Sequence, residues 1–467
     1  MEPDQLILEP GRLKALFDVN ASRLSLGGNG RQHELRAEAM EHFLRLGYPT
    51  RKLEAWKFTD LLPTLELSYH IDLDPNGEKV DVNSIFQCEI HNFETYLFSQ
   101  LNGWYVWEQS PMSELPEGAF VGSLREAKKR FPEIFEAHYG RYADITNGAL
   151  EALNTAFALD GIFIYVPDNV VVEKPVQMVN IVNYPHNLFI QPRNLIVIGK
   201  NAKLTLVHCD DSIQHKYNFT NAVSEFAIGE NGELDYYKLQ NKDDDCTLIN
   251  NNYFHLSDYS RLTSNTLTFN GGLIRNESKV KINGTGAEAN LYGLYLMDRK
   301  QHVDNRVFVD HAKPGSFSNE LYKGIIDEHA SAAFYGHILV RRDAQQTNAY
   351  QNNRNITLTD TARVDTNPFL EIYADDVKCS HGATVGQLDQ DALFYLRTRG
   401  ICERNSKMLL MYAFAAEIAR KINIPALQER TEQMIEKRLK GELTICDQCV
   451  LHCKDEPIEF KIDMSLI

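Results

Sequence analysis

The sequence predicts a mainly β molecule, a solenoid of stacked short strands held between helical N-terminal and C-terminal regions. Three observations predict it. Apolar residues recur at three-to-four spacing in the first 60 residues, again before Leu159, and once more after His381. Between Gly161 and about Cys379 the pattern changes to short β-branched and aromatic runs with no long helical interval. Finally, Tyr292-Gly293 followed by Asn305 and Tyr335-Gly336 followed by Asn348 form an imprecise repeat offset by 43 positions, which reads as two coils of a solenoid. An antiparallel barrel or sandwich is the rival architecture, because it produces equally short strands and polar turns.

Taken in order, residues 1–159 form a helical and mixed region. Leu6 to Phe17 and Glu34 to Leu46 read as helices, and Gly47 and Pro49 break the second. The segment PTRKLEAWKFTD follows, where Trp56 and Phe58 stand among Arg51, Lys52 and Lys57 as ordinary packing anchors or as a peptide-docking patch. Leu124 to Leu159 returns to helical spacing and closes this region. Residues 160–386 form the β core. Gly271-Gly272, Gly293 and Gly336 read as tight corners. In residues 387–445, Asp389 is positioned to cap a helix ending at Gly400. A second helix runs from Glu403 to Lys421, and a third ends near Gly441. These helices are expected to seal the last coil or to dock a partner through their apolar faces. Residues 446–467 form a cysteine-containing tail.

With 48 Lys and Arg against 64 Asp and Glu, the formal net charge is -16, which argues against wrapping by nucleic-acid phosphates. No stretch approaches the roughly 20 apolar residues of a membrane span. The first residues also lack the basic flank and apolar run of a secretory signal. The expectation is a cytoplasmic protein that binds neither nucleic acid nor membrane. The cysteines are too sparse for a disulfide framework and fit a reducing compartment.

Chemistry concentrates in DDVKCSHGATVGQLDQDA. Cys379 and His381 are two positions apart, so on a strand both face one side and can offer sulfur and nitrogen to one metal. Two donors do not close a site, and a buried thiol packed beside a hydrogen-bonded histidine accounts for them equally. Nothing provides a base geometry or oxyanion donors for a nucleophilic Cys379. Asp375 and Asp376 add charge nearby or simply form a solvated strand end. In the tail, Cys446, Cys449, His452 and Cys453 offer a CxxC unit with two further donors, compatible with metal binding, a redox tail, a dimer contact or unspecialised thiols. No GxxxxGKS or GxxxxGKT loop is present, so nucleotide hydrolysis by this chain has no motif. Polysaccharide processing is the competing enzyme class, since a solenoid can bring distant carboxylates to a useful separation.

Three segments together resemble the SufB/SufD family, and SufD within it: PTRKLEAWKFTD, PRNLIVIGKNAKLTLVHC and DVKCSHGATVGQLDQDALFYLRTRGI. The last is the most specific. The resemblance implies a right-handed parallel β-helix between helical regions, and a noncatalytic subunit of the SufBCD iron-sulfur cluster assembly scaffold. Such a subunit pairs with SufB and docks the SufC ATPase, which carries the ATP. A homodimer outside that assembly stays open. The resemblance also maps a cysteine and a histidine near the partner interface onto Cys379 and His381, as donors to transient iron or a nascent cluster shared with SufB. It places ATPase docking on the C-terminal helices, where Leu393, Phe394 and Leu396 are the candidate anchors. It implies no tightly bound cofactor, leaves reduced flavin unassigned, and does not extend to the CDQCVLHC tail.

Overall fold

A computed structural model describes residues 6–24, 31–73, 93–106, 114–212 and 216–441. Its centre is a parallel β-helix. Strands from Ile162–Val166 to Val377–Gly386 alternate between two ten-stranded sheets, most of them pairing in parallel with the strand one coil away. Antiparallel pairs occur only at the N-terminal start of these sheets, where Phe120–Ser123 meets Ile162–Val166 and Tyr96–Leu101 meets Trp104–Val106. Each coil thus satisfies its strand N–H and C=O groups on its neighbours, which is what permits so many strands without a covering layer of helices.

The coil length follows from the register. In the first sheet, Lys203 pairs with Glu233, Glu233 with Arg261, Arg261 with Glu288, Glu288 with Phe317 and Phe317 with Asn348. One coil is therefore about 30 residues, so the two Tyr-Gly copies are not equivalent positions of successive coils but stand about one and a half coils apart. Tyr292 lies in the first sheet and Tyr335 in the second. Neither Gly293 nor Gly336 is a corner. Both are mid-strand, and a Cβ at Gly293 would stand 2.2 Å from the Tyr322 ring, while one at Gly336 would stand 2.1 Å from Gln351 Nε2. These glycines make room for large inward side chains. Gly271-Gly272 is a corner as expected, joining the strand that ends at Asn270 to the one that starts at Leu273, with Gly271 at positive φ; other corners use asparagine. Asn169, Asn201 and Asn231 all have positive φ, and their amides bond in a ladder, Asn201 Nδ2 donating to Asn169 Oδ1 (2.8 Å) and Asn231 Nδ2 to Asn201 Oδ1 (3.1 Å).

Between the sheets runs an apolar core that includes Leu206, Phe226, Phe254, Leu291, Val309 and Phe334. The N-terminal helices cover the outer face of the second sheet. Residues of Arg31–Leu46 and Ala149–Phe157 pack there on Phe189, Phe219 and Ile249. The stretch expected as one helical return is three helices, Leu124–Arg130, Pro132–His138 and Ala149–Phe157. Pro132 starts the second because it has no N–H to continue the first. The loop after the second helix is fixed by Glu225, which accepts the N–H groups of Gly140, Tyr142 and Ala143. Trp56 and Phe58 act as packing anchors. Arg275 lies 4.0 Å over the Trp56 ring, and the Thr59 hydroxyl donates to Asp304 (2.7 Å), strapping this segment across the sheet.

The C-terminal helices Glu403–Ala419 and Pro425–Lys440 cover the other side of the solenoid, packing Ala415, Ile418 and Leu427 on Tyr237, Leu267 and Leu294. Buried Lys323 donates to the Phe414 carbonyl (3.0 Å) and pairs with Glu417, and Arg438 donates to Asp298 (2.5 Å) and the Phe269 carbonyl (2.8 Å). The caps are those expected. Asp389 accepts from Asp391 and Ala392 N–H, and Gly400 and Gly441 take positive φ. These two helices lie along the side of the solenoid and do not seal its last coil.

Candidate functional site at the open end of the solenoid

The last coil ends in two edge strands, Arg363–Ile372 and Val377–Gly386. Each is paired on one side only among the described residues. Their outer edges present unpaired backbone donors and acceptors, the surface to which another strand adds. Phe369, Ile372, Tyr373 and Val385 are exposed around this end, a concentration of apolar side chains that marks an interaction surface.

Cys379 and His381 both lie on the Val377–Gly386 strand. Register settles which way they face. His381 stacks on Gln351, Gln351 on Glu320 and Glu320 on Leu291, a core residue, so His381 is on the inward face at the open rim. Cys379 shares that face and packs half-buried against the small cluster of Ile338, Val340 and Ala349. Burial pushes its thiol above the ordinary value, against a hydrogen bond with the Ala349 backbone. The thiol is therefore protonated at neutral pH, and a metal that binds it must displace the proton. His381 is exposed. Asp375 and Asp376 belong to the turn before the strand, where the Asp376 backbone N–H donates to Gln345 (2.9 Å). Among the described residues, no three His, Cys, Asp or Glu side chains converge on a metal position. A metal at Cys379 and His381 would thus need further donors from beyond the described residues.

Beneath this pair lies a polar layer that the sequence reading missed. Gln351 Nε2 donates to Glu320 Oε2 (2.7 Å), and both side chains are buried. Tyr295 OH donates to Asn355 Oδ1 (2.6 Å) and accepts from Asn353 Nδ2 (3.0 Å), while Asn355 Nδ2 donates to Asn353 Oδ1 (2.7 Å). On the other side of the interior, His311 contacts Ser316 Oγ (2.8 Å) and Ser318 Oγ (2.9 Å). Burial lowers its pKa to about 4, so it is neutral. The apolar core thus gives way to amides and hydroxyls in the last coils. The signal was available: with a coil of about 30 residues, Glu320, Gln351 and His381 fall into one column, whereas a period of 43 scatters them.

Burial pushes the Glu320 carboxyl up to about 8, the Gln351 hydrogen bond opposing it. Folding therefore favours the protonated acid, and its contribution to stability is complete below the unfolded value near 4.5. It is lost as pH rises from there through about 8. Glu320→Gln, which is neutral throughout, is expected to remove a falling slope of about 1.4 kcal/mol per pH unit across this window. Urea midpoints measured from pH 5 to pH 9 check this, and parallel profiles for the two proteins would contradict it.

Of the candidate docking anchors, Leu393 is buried (6% exposed), Leu396 is partly buried and Phe394 is exposed (69%), with Tyr395 beside it (57%). The tail positions Cys446, Cys449, His452 and Cys453 lie outside the described residues.

Comparison with known proteins agrees with this architecture. Residues 181–414 match the model of the SUF system FeS cluster assembly SufBD core domain, and residues 11–178 match the SufBD protein N-terminal region. The chain belongs to the SufBD family. An iron-sulfur cluster assembly SufBD family protein of Synechocystis is 30% identical over 84% of this chain and 88% of its own length. The iron-sulfur cluster assembly protein SufD of Escherichia coli is 26% identical over 86% and 92%, and that of Bacillus subtilis 25% identical over 87% and 93%. For this SufBD family member the stacked-strand body is therefore a scaffold of cluster assembly.

Proposed function

We propose that this chain is a noncatalytic subunit of the cluster assembly scaffold that works in the cytoplasm, pairing with SufB through the open end of its solenoid and docking the SufC ATPase on its C-terminal helices. The observation that carries this reading is the unfinished last coil. Two strand edges, an exposed apolar rim and the Cys379 and His381 pair lie on one surface, which no described residue of this chain completes. A SufB strand added to the Val377–Gly386 edge continues the solenoid and brings the donors that Cys379 and His381 lack, around iron or a nascent cluster as cargo. On the docking side, Phe394 is exposed on its helix with Tyr395 beside it, whereas Leu393 is buried beneath them. ATP then binds to the partner, and its hydrolysis acts here through differences in contact between nucleotide states.

A second reading, an interaction module that supplies no metal ligand, is favoured by one observation: Cys379 packs against Ile338 and Val340 as a structural thiol does. Anaerobic reconstitution of SufB, SufC and this chain tests both, with copurification, iron and sulfide measured together. A stable ternary assembly is expected. Phe394→Asp should lower SufC recovery while leaving SufB bound, and recovery of SufC unchanged by that substitution would move the docking surface elsewhere.

A further inference from the structure

A cavity of about 460 Å³ lies where the C-terminal helices meet the corner of the last coils. Its apolar lining includes Leu358 and Leu388 from the solenoid side and Met408 and Met411 from the Glu403–Ala419 helix. Arg404, Lys407 and Lys440 also line it, against a single acid, Asp327. Lys407 and Lys440 have acidic partners on their own helices, Glu403 (2.8 Å) and Glu436 (2.6 Å), whereas Arg404 makes no ion pair among the described residues. An apolar cleft with a cationic rim suits an amphipathic acidic peptide.

The chain supplies one at the cavity wall. Lys440, a lining residue, is followed by Gly441, whose left-handed backbone ends the helix, and Arg438 fixes that helix end to Asp298 and the Phe269 carbonyl. From there 26 residues continue to Ile467, carrying six acids (Glu442, Asp447, Asp455, Glu456, Glu459, Asp463) against two lysines, Lys454 and Lys461. The first of them, Glu442, Leu443 and Ile445, pair an acid with apolar side chains. At about 3.3 Å per extended residue, five residues reach roughly 15 Å, enough to cross a cavity of this size from its own rim.

We propose that residues 442–453 fold back into this cavity, Leu443 and Ile445 entering the Met408 and Met411 cleft and Glu442 and Asp447 meeting Arg404 and Lys407. Tethering favours this occupant over a free one, because a covalently attached segment meets its site at a high effective concentration.

Cys402, exposed at the start of the Glu403–Ala419 helix, is a native probe for this arrangement. The reduced full-length chain, treated with a short bis-maleimide and mapped by mass spectrometry, is expected to link Cys402 to Cys446 or Cys449 within one molecule. Arg404→Glu combined with Lys407→Glu, both on the surface, should lower that yield about tenfold or more. Because the tail thiols also link to one another, a photo-crosslinking residue in place of Leu358 gives a second reading, with peptide 442–453 the expected product. The inference is overturned if Cys402 takes only single labels and the Leu358 probe captures no tail peptide. It is equally overturned if mixed isotopic labelling shows that the links run between copies, which would give the cavity to a second molecule.

Discussion

Replacing Cys379 with Ser and His381 with Ala together is expected to lower the iron and sulfide retained by the reconstituted assembly by about tenfold or more. Disturbing groups that merely orient metal ligands already costs roughly 10- to 100-fold in affinity, and here the two proposed donors are themselves replaced. The effect should appear without loss of partners. His381 is exposed at the rim, and Cys379 touches only a small cluster, so neither holds the last coil together. Iron, sulfide and copurification measured on one sample separate the outcomes. Normal cluster content with both residues replaced and the assembly intact would remove them as ligands and leave the interaction module. The two single replacements should differ in kind. Cys379→Ser keeps the size of the side chain but loses the soft sulfur, whereas His381→Ala removes the nitrogen and leaves the sulfur in place.

Glu225→Ala is expected to destabilise the fold by about 3–5 kcal/mol, the cost of leaving a buried cation without its partner. Arg193 and Glu225 are both fully buried, with Arg193 Nη2 2.6 Å from Glu225 Oε2. Glu225 also accepts three backbone N–H groups from the loop before Ala149–Phe157, and Arg193 donates to Thr155 Oγ1 (2.8 Å). The pair therefore joins the N-terminal helices to the outer face of the solenoid. Glu225→Gln should fall between wild type and Ala, since the amide oxygen still accepts from the loop but no longer balances the charge. Denaturant midpoints for the three proteins check this, and an Ala variant within about 0.5 kcal/mol of wild type, the range of ordinary surface changes, would show that Arg193 finds another counter-charge.

How far the sequence could be read depended on how local each determinant is. Asp389 announces a helix start because its side chain bonds to N–H groups two and three positions on, and Gly441 announces a stop because its own φ is positive. The switch to strand-like runs near Gly161 announces stacked strands because side-chain alternation is a property of each strand alone. The coil length was misjudged because two Tyr-Gly steps look alike for the same local reason in different sheets: each glycine makes space for a neighbouring large side chain.

By itself the sequence determined the class of body, its helical ends, the Cys379 and His381 pair and, through motifs spread along the chain, the family. Only the tertiary structure decided what surrounds that pair. The open rim, the Glu320 and Gln351 layer beneath His381 and the seating of the C-terminal helices on the side of the solenoid all depend on residues about 30 or about 90 positions apart. In a stacked coil the nearest neighbour of a side chain lies one full turn away, so its surroundings follow from the pitch of the coil and not from the residues beside it in sequence.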